Sequence, residues 1–454
     1  LFACDGHLQN LWEWGMPMTA VSTSASGFVG DIKSFPVPLT ELDRLRSSGK
    51  TAVIIGAGPG GLMAALTIKE AGYENVIVLE KRTSFTRNNI VNLHPEARHI
   101  FKRLNILDRF LARASLIVDH RNHIFLDGKA LFDFRDQGTD VETNADHSFE
   151  ASDVLNGFRN ETAFSISLAD LQDFLALVAC ERGITIVRGA DATVSEADDG
   201  LYSVRANMLG SSLFLVVEQP DVVVVAEGAS GALCRQLGGG YRETASLWPE
   251  ECWVFGNYPC RVNYAYSHLL FEFSGGWDDL TISNCIFLPQ RQEVNVAVTV
   301  KRADLTQGEI RDRIAEQARK ILRISGAEPT SDRVTWHSHH VVRIVPKSAE
   351  RCYFGKNVVL LGDAMGANSP VAALGGTLST SAYSYAIRHL IQDLELLPAE
   401  DALAAYGRRA RSYVTRWHNK VNEVRSTLER DIRMRGQATV RAAGDTRYQM
   451  GGEA

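Results

Sequence analysis

Thr51–Arg82 reads TAVIIGAGPGGLMAALTIKEAGYENVIVLEKR, and this stretch decides the fold. It opens on a short, largely β-branched run, Thr51–Ile55, of the kind that forms a buried parallel strand. Gly56, Gly58 and Gly61 follow, with Gly60 as an extra glycine. Gly56 permits a tight turn, Gly58 lets the backbone approach a pyrophosphate, and Gly61 lets the next helix pack on the strand. Residues 62–71 carry helix formers, and Gly72 supplies a stop. A second apolar strand, 76–79, ends in Glu80, roughly 24 residues beyond Gly56. An acid at about 20 residues from the glycines holds a ribose hydroxyl in dinucleotide-binding units. The helix N-terminus adds free N–H groups and the positive end of a dipole for the phosphates. Glycines alone are a weak signal. Strand, glycines, helix, strand and terminal acid in this order are a strong one.

A chain of 454 residues exceeds one ordinary core, so two intertwined or consecutive domains are expected. A hydrophobic content of 45% with 22% charged residues describes a globular protein. The net charge of −6 argues against a general nucleic-acid binder. The seven cysteines are scattered with no CxxC pair, which points to reduced thiols and not to a disulfide framework or a zinc site. No apolar run reaches membrane-spanning length. The first residues lack the basic start and continuous apolar core of a signal peptide. A cytoplasmic location is expected.

Outward from the opening unit, residues 1–50 read as an irregular extension with a short helix at 41–46, capped by Thr40 and Asp43. The polar run after Glu80 holds Lys81, Arg82, Arg87, Asn88 and Asn89, which can donate to a ribose or phosphates as readily as to solvent. Helices are expected at 94–104 and 107–114, and a hairpin around Asp127-Gly128 before a long loop. Ser167 and Asp170 cap a helix over 168–182. Strands at 184–187, 201–208, 213–218 and 221–226 follow. Residues 241–301 turn aromatic and alternating, which reads as an antiparallel sheet. A helix at 305–324 and strand-like 334–345 lead to a buried strand at 357–361. Gly362-Asp363, a loop to Pro370, Gly375-Gly376 and a helix over 377–396 come next. A long basic helix, 400–435, reads as solvated on its charged face, with a disordered tail after Gln437. Three apolar strands thus end in glycine-bearing turns, at Gly56–Gly61, Glu227-Gly228 and Gly362-Asp363, where open α/β sheets bind ligands.

This order resembles the para-hydroxybenzoate-hydroxylase-like (group A) flavoprotein monooxygenases, over roughly residues 42–396. Locally it is similar to the flavin domain of MICAL proteins, with which it shares Glu80-Lys81-Arg82, Ser84-Phe85, Arg87-Asn88-Asn89 and Ser165-Ile166-Ser167. The resemblance implies an α/β fold: a Rossmann-like FAD-binding domain (51–235 and 345–398), interrupted by a mostly antiparallel substrate domain (236–344) and followed by a C-terminal helix and tail (399–454). It implies FAD contacts from Gly60, Glu80, Lys81, Arg82, Arg87, Asn88 and Asn89. Asp363 would meet the ribityl–pyrophosphate region, and the backbone near Ala192 the adenine. Pro370, Leu374, Gly375, Gly376 and Thr377 would approach the pyrimidine side of the flavin. Two departures stand out. The middle motif has Glu227 where the family usually has Asp, and Leu168 stands where many relatives have Arg. Calponin-homology and LIM segments are not among these residues, so an actin-directed role is not implied.

The implied reaction uses NAD(P)H to reduce FAD, adds O2 at the flavin C4a, and passes one oxygen from that hydroperoxide to a small organic substrate, aromatic or heteroaromatic. With no second strand–GxGxxG unit, nicotinamide binding is expected to be transient. The substrate would sit between the flavin loop and the aromatic-rich sheet over 253–287. No acid or base is identified: His337, His339 and His340 read as sheet-surface residues, and Tyr264 and Tyr266 as packing residues. Oxygenation at nitrogen or sulfur, an oxidase or dehydrogenase on the same fold, and a non-enzymatic nucleotide-binding module are the other readings open to the sequence.

Overall fold

Valines and isoleucines buried on both faces build a six-stranded sheet at the centre of the computed structural model, which describes residues 49–85, 89–94, 96–126, 129–135, 163–244, 251–263, 265–273, 280–301, 304–336, 341–370 and 374–449. The strands run in the order Tyr353–Phe354, Val358–Leu360, Val222–Val225, Thr51–Ile55, Asn75–Glu80, Thr185–Arg188. Every pairing except that of Tyr353–Phe354 is parallel. Val222–Val225 is four consecutive valines, all buried, and each contributes about 1.5–3 kcal/mol of transfer free energy. Such a run has no solvent face, which is why it reads as continuous and not alternating. Helix Pro59–Glu70 starts three residues earlier than the sequence suggests, because Pro59 occupies the first turn, where its missing N–H costs nothing. It packs against helices Leu168–Glu181 and Tyr383–Leu396.

The expected antiparallel sheet forms from Cys252–Arg261, Ala265–Phe273, Thr281–Leu288 and Glu293–Val300. It also takes in strands from earlier in the chain: Ser115–Leu126 runs parallel to Ala265–Phe273, and Ile90–Leu93 and Phe164–Ser167 extend the sheet further. One face packs on helix Gln307–Ser325 through Val254, Tyr258, Val296, Val298, Cys285 and Phe287. That helix has a full capping box, Thr306 with Glu309, and stops at Gly326 in the left-handed region (φ 70°). A smaller sheet joins Ala190–Glu196, Tyr202–Met208 and Phe214–Val217, the last two being the expected hairpin. Lys129–Arg135 pairs antiparallel with Ser115–Leu126, as expected of a hairpin there.

Two helices differ from expectation. The element expected as one helix over 377–396 has three parts: a turn of α-helix, Leu374–Thr377, a π-helical turn, Leu378–Ala382, and the α-helix Tyr383–Leu396. Thr380, Ser381 and Ser384 return their hydroxyls to the carbonyls of Gly376, Thr377 and Thr380. The C-terminal helix runs from Ala399 to Gln449, so the backbone beyond Gln437 is helical where a disordered tail is expected. Its apolar stripe, including Ala402, Tyr406, Ala410, Tyr413, Val414, Trp417 and Val421, is buried at helical spacing. Tyr406 donates to the Leu360 carbonyl at 2.6 Å, and Arg409 pairs with Asp393 at 2.6 Å. Among the described residues no helix is long and apolar enough to cross a membrane. The expected helix at 41–46, the loop at 136–162, Tyr264, and His337, His339 and His340 lie outside the described residues.

Candidate functional site

The three glycine-bearing strand ends meet because their strands are neighbours: Val358–Leu360, Val222–Val225 and Thr51–Ile55 lie side by side and parallel. Their carboxyl ends open on one crevice. At the first turn, Gly56 has a φ of 109°, and a Cβ there would sit 2.3 Å from the Ala226 carbonyl oxygen. A Cβ at Gly61 would sit 2.0 Å from the Gly56 oxygen. Both glycines are forced by packing within the protein. Gly60 is buried, and its missing side chain faces Leu361 at 3.0 Å and Ser379. Gly58 is different. It caps helix Pro59–Glu70 in an extended conformation, and a Cβ there would meet nothing within 4 Å. No side chain caps that helix end, so its first N–H groups face the open space beside Gly58.

Glu80 sits across this turn. Its Oε2 accepts from the Ala57 amide at 2.8 Å and its Oε1 from the Arg82 amide at 2.8 Å. A carboxylate offers about four acceptor positions, so two remain. Gln172, which the sequence reading passed over, fixes the same turn from below: its Nε2 donates to the Ala57 carbonyl at 3.0 Å. The signal for it is a polar residue on the buried side of an apolar helix. Ser167 caps that helix, accepting from the Asp170 amide at 3.0 Å. Lys81 reaches Asp191 at 2.8 Å on the surface, next in sequence to Ala192, which is buried and pairs with Ala206. The backbone of Asn89 accepts from Leu168 at 2.9 Å, and Arg82 is exposed. Arg87 and Asn88 lie outside the described residues.

At the second turn Glu227 braces the first turn of helix Ala232–Gln236, whose N-cap is Gly231: its Oε1 accepts from the Leu233 amide at 2.8 Å and the Cys234 amide at 3.3 Å, and its Oε2 from the Ser230 hydroxyl at 3.3 Å. At the third turn Gly362 lies in the left-handed region (φ 66°) and Asp363 is exposed. Two side chains absent from the sequence reading clamp these turns together. Tyr241 donates to the Ala364 carbonyl at 2.7 Å, and Lys347 donates to the Ala229 carbonyl while lying 4.0 Å over the Tyr241 ring. Burial, with Arg235 nearby, holds the Lys347 ammonium below its ordinary value, and Asp363 opposes this.

The loop Gly366–Pro370 continues from the third turn and is gripped from two sides. Glu251 is fully buried, and its Oε1 accepts from the Trp253 indole and from the Ser369 hydroxyl, each at 2.6 Å. From the C-terminal helix, His418 Nε2 approaches the Ala367 carbonyl at 3.3 Å, and burial pushes its imidazole below the ordinary 6.5. Pro370 is half-buried. Beyond it, Gly375 lies by the Trp417 ring, and a Cβ at Gly376 would sit 3.1 Å from Leu93. The Thr377 hydroxyl accepts from the His94 amide at 2.9 Å. The structure thus brings Gly56, Gly58, Gly60, Gly61, Glu80 and Asp363 to adjacent strand ends, with Gly366–Pro370 following from the third turn.

These features fit a flavin dinucleotide. The open side of Gly58 lies at an uncapped helix end suited to a diphosphate, and Glu80 keeps acceptor positions for a ribose. The fold and crevice define the class of FAD-binding proteins. The FAD binding domain family matches residues 50–420, and the chain belongs to it. Its structure is similar to that of p-nitrophenol 4-monooxygenase from Pseudomonas putida, with a TM-score of 0.64 and 18% identity over 87% of this chain and 94% of that one. It is also similar to the 2-methyl-3-hydroxypyridine-5-carboxylic acid oxygenase, with a TM-score of 0.60 and 16% identity over 85% and 93% of the two chains. A local segment is 51% identical over 43 residues to the [F-actin]-monooxygenase mical1 of Danio rerio, covering 10% of this chain. The matches span only 4–5% of the length of the curated relatives.

Proposed function

We propose that the protein is an NAD(P)H-consuming FAD monooxygenase that inserts one oxygen atom from O2 into a small aromatic or heteroaromatic compound. The observation that carries this reading is the crevice itself: three adjacent strand ends, an open Gly58 at an uncapped helix end, and Glu80 positioned by two backbone amides. The two neighbours with this fold are named as oxygenases of a nitrophenol and of a hydroxypyridine acid, which supports a ring substrate here.

When bound, the flavin supplies reduction by a nicotinamide and the transfer of oxygen from O2. The chain's own residues do the rest. Glu80 would hold a ribose of the FAD, and the first N–H groups of helix Pro59–Glu70 would meet the diphosphate. Lys81, Arg82, Arg87, Asn88 and Asn89 would contact the FAD, with the backbone near Ala192 by the adenine, and Asp363 would meet the ribityl–pyrophosphate region. Backbone N–H groups of the Gly375-Gly376 stretch would stabilise negative charge on the reduced flavin. The antiparallel sheet orients the substrate and excludes water.

The test is to identify the bound flavin, then run turnovers with NAD(P)H under isotope-labelled O2 with a panel of phenols and hydroxypyridines. Label in the organic product is expected. Reduction of the flavin with peroxide as the sole oxygen product would convert the reading to an oxidase. A colourless protein that takes up no FAD would remove it.

A further inference from the structure

We propose that Lys347 is a positioning residue for the cofactor: its ammonium ties the second glycine-bearing turn to the third and offsets the carboxylates that stand there against a diphosphate. This deepens the reading of the crevice as an FAD site and rests on it.

A small three-stranded sheet sets the geometry. Tyr241–Glu243, Lys347–Ala349 and Gly366–Ala367 pair antiparallel in that order. The register places Lys347 opposite Glu243 on one side and Ala367 on the other. The Ala349 amide donates to the Met365 carbonyl at 2.7 Å, so the strand that carries Lys347 is bonded to the chain as it leaves the third turn. This sheet therefore fixes where the Lys347 side chain starts relative to Asp363.

From that strand the Lys347 side chain crosses to the second turn and donates to the Ala229 carbonyl. On the way its ammonium lies 4.0 Å from the centroid of the Tyr241 ring. The hydroxyl of that ring donates to the Ala364 carbonyl at 2.7 Å, on the third turn. Gly231 makes room for the same hydroxyl, since a Cβ there would sit 2.4 Å from it. One ammonium and one phenol thus connect Ala229 of the second turn with Ala364 of the third.

A buried ammonium is a costly way to reach a carbonyl, and Lys347 is only 9% exposed. Ala229 is exposed, so water serves its carbonyl equally well. The charge has its reason in the groups that face it. Glu227 on the second turn and Asp363 on the third both favour the charged amine. Burial keeps the Cys234 thiol and the Tyr241 phenol protonated, and Glu243, across the strand pair, is exposed. Arg235 donates to the next carbonyl of the second turn, that of Ser230, at 2.8 Å. A diphosphate brings two negative charges to turns that already hold two carboxylates, and in a partly desolvated crevice that repulsion is strong. Lys347 offsets it from between the two turns.

The test is to titrate FAD into the full-length apoprotein at neutral pH, following flavin fluorescence, and to take urea midpoints of the same apoproteins. In Lys347→Met the thioether keeps its contact with the Tyr241 ring, and the apoprotein should unfold at an unchanged or higher urea concentration. Its FAD affinity should nevertheless fall about tenfold or more. Lys347→Arg should recover most of that loss. Tyr241→Phe keeps the ring and removes the donor to Ala364, and should weaken FAD about fivefold. Unchanged FAD affinity in Lys347→Met overturns the proposal, as does a Lys347→Arg protein that binds no better than Lys347→Met. A Lys347→Met apoprotein that is destabilised or unfolded also overturns it, because the residue would then hold the fold and not the cofactor. Unchanged affinity in Tyr241→Phe removes the tie to the third turn. A wild-type apoprotein that takes up no FAD fails at the earlier step and overturns the FAD reading itself, whatever the variants do.

Discussion

Around Gly56 and Gly61 the parallel sheet leaves no space for a side chain, whereas around Ala297 the antiparallel sheet keeps Phe255, Ala297 and Asn284 half-open between buried rows. The first region is shaped by backbone, and what matters is which side chains are missing. The second is shaped by side chains from strands far apart in sequence. A dinucleotide is the same molecule in every protein, so backbone serves to hold it. A substrate differs from enzyme to enzyme, and side chains are what can vary.

The largest effect should come from Gly61→Val, which drives a Cβ to within 2.0 Å of the Gly56 carbonyl. A loss of at least about 3 kcal/mol in urea unfolding is expected, with no FAD retained. A well-folded, flavin-loaded variant would break the contrast. Glu251→Ala leaves the Trp253 indole and the Ser369 hydroxyl without their shared acceptor, and should cost about 2–3 kcal/mol. Glu251→Gln keeps an acceptor and should cost less in the same melts. Gly58→Ala sharpens the comparison most, because its Cβ enters open space. Stability should stay within about 0.5 kcal/mol, while apoprotein titration shows FAD affinity falling about tenfold. Unchanged affinity would mean that the cradle is not at Gly58.

A smaller effect depends on pH. Burial lowers the pKa of His418 in the folded protein, so the unfolded chain takes up the proton first as pH falls below 6.5. The neutral form's contribution is complete above that value and is lost as pH drops toward the lowered folded value. The slope of stability against pH in this acid range should flatten in His418→Gln. The smallest effect is that of Lys81→Ala: its pair with Asp191 is exposed, and melts should move by less than about 0.5 kcal/mol.

The legibility of the molecule follows the same division. Strand Val222–Val225, the glycine turn, Glu80 and the Ser167 cap could be read directly, because each is a local pattern with a local cause. The order that puts Val358–Leu360 beside Val222–Val225 could be inferred only from resemblance. Gln172, Tyr241, Lys347 and Glu251 could not be read, since each acts on a partner brought near by tertiary packing. Glu227 shows a further limit. The sequence marks it as a departure from the usual Asp, and the structure shows both of its oxygens engaged at the start of helix Ala232–Gln236. The half-open row at Ala297 is invisible in the string EVNVAVTV, where Ala297 is one alternating position among several.

The π-helical turn at Leu378–Ala382 has a consequence for how this chain tolerates length changes. Such a turn holds one residue more than an α-helix of the same rise. Deleting a single residue there would rewind it into regular helix while leaving the flanking helical segments in nearly the same angular register. Tyr383 and Ile387, now sealed inside, would keep their seats. The same deletion within helix Tyr383–Leu396 would turn everything beyond it by about 100°, so a one-residue deletion should be better tolerated in the π turn than further along.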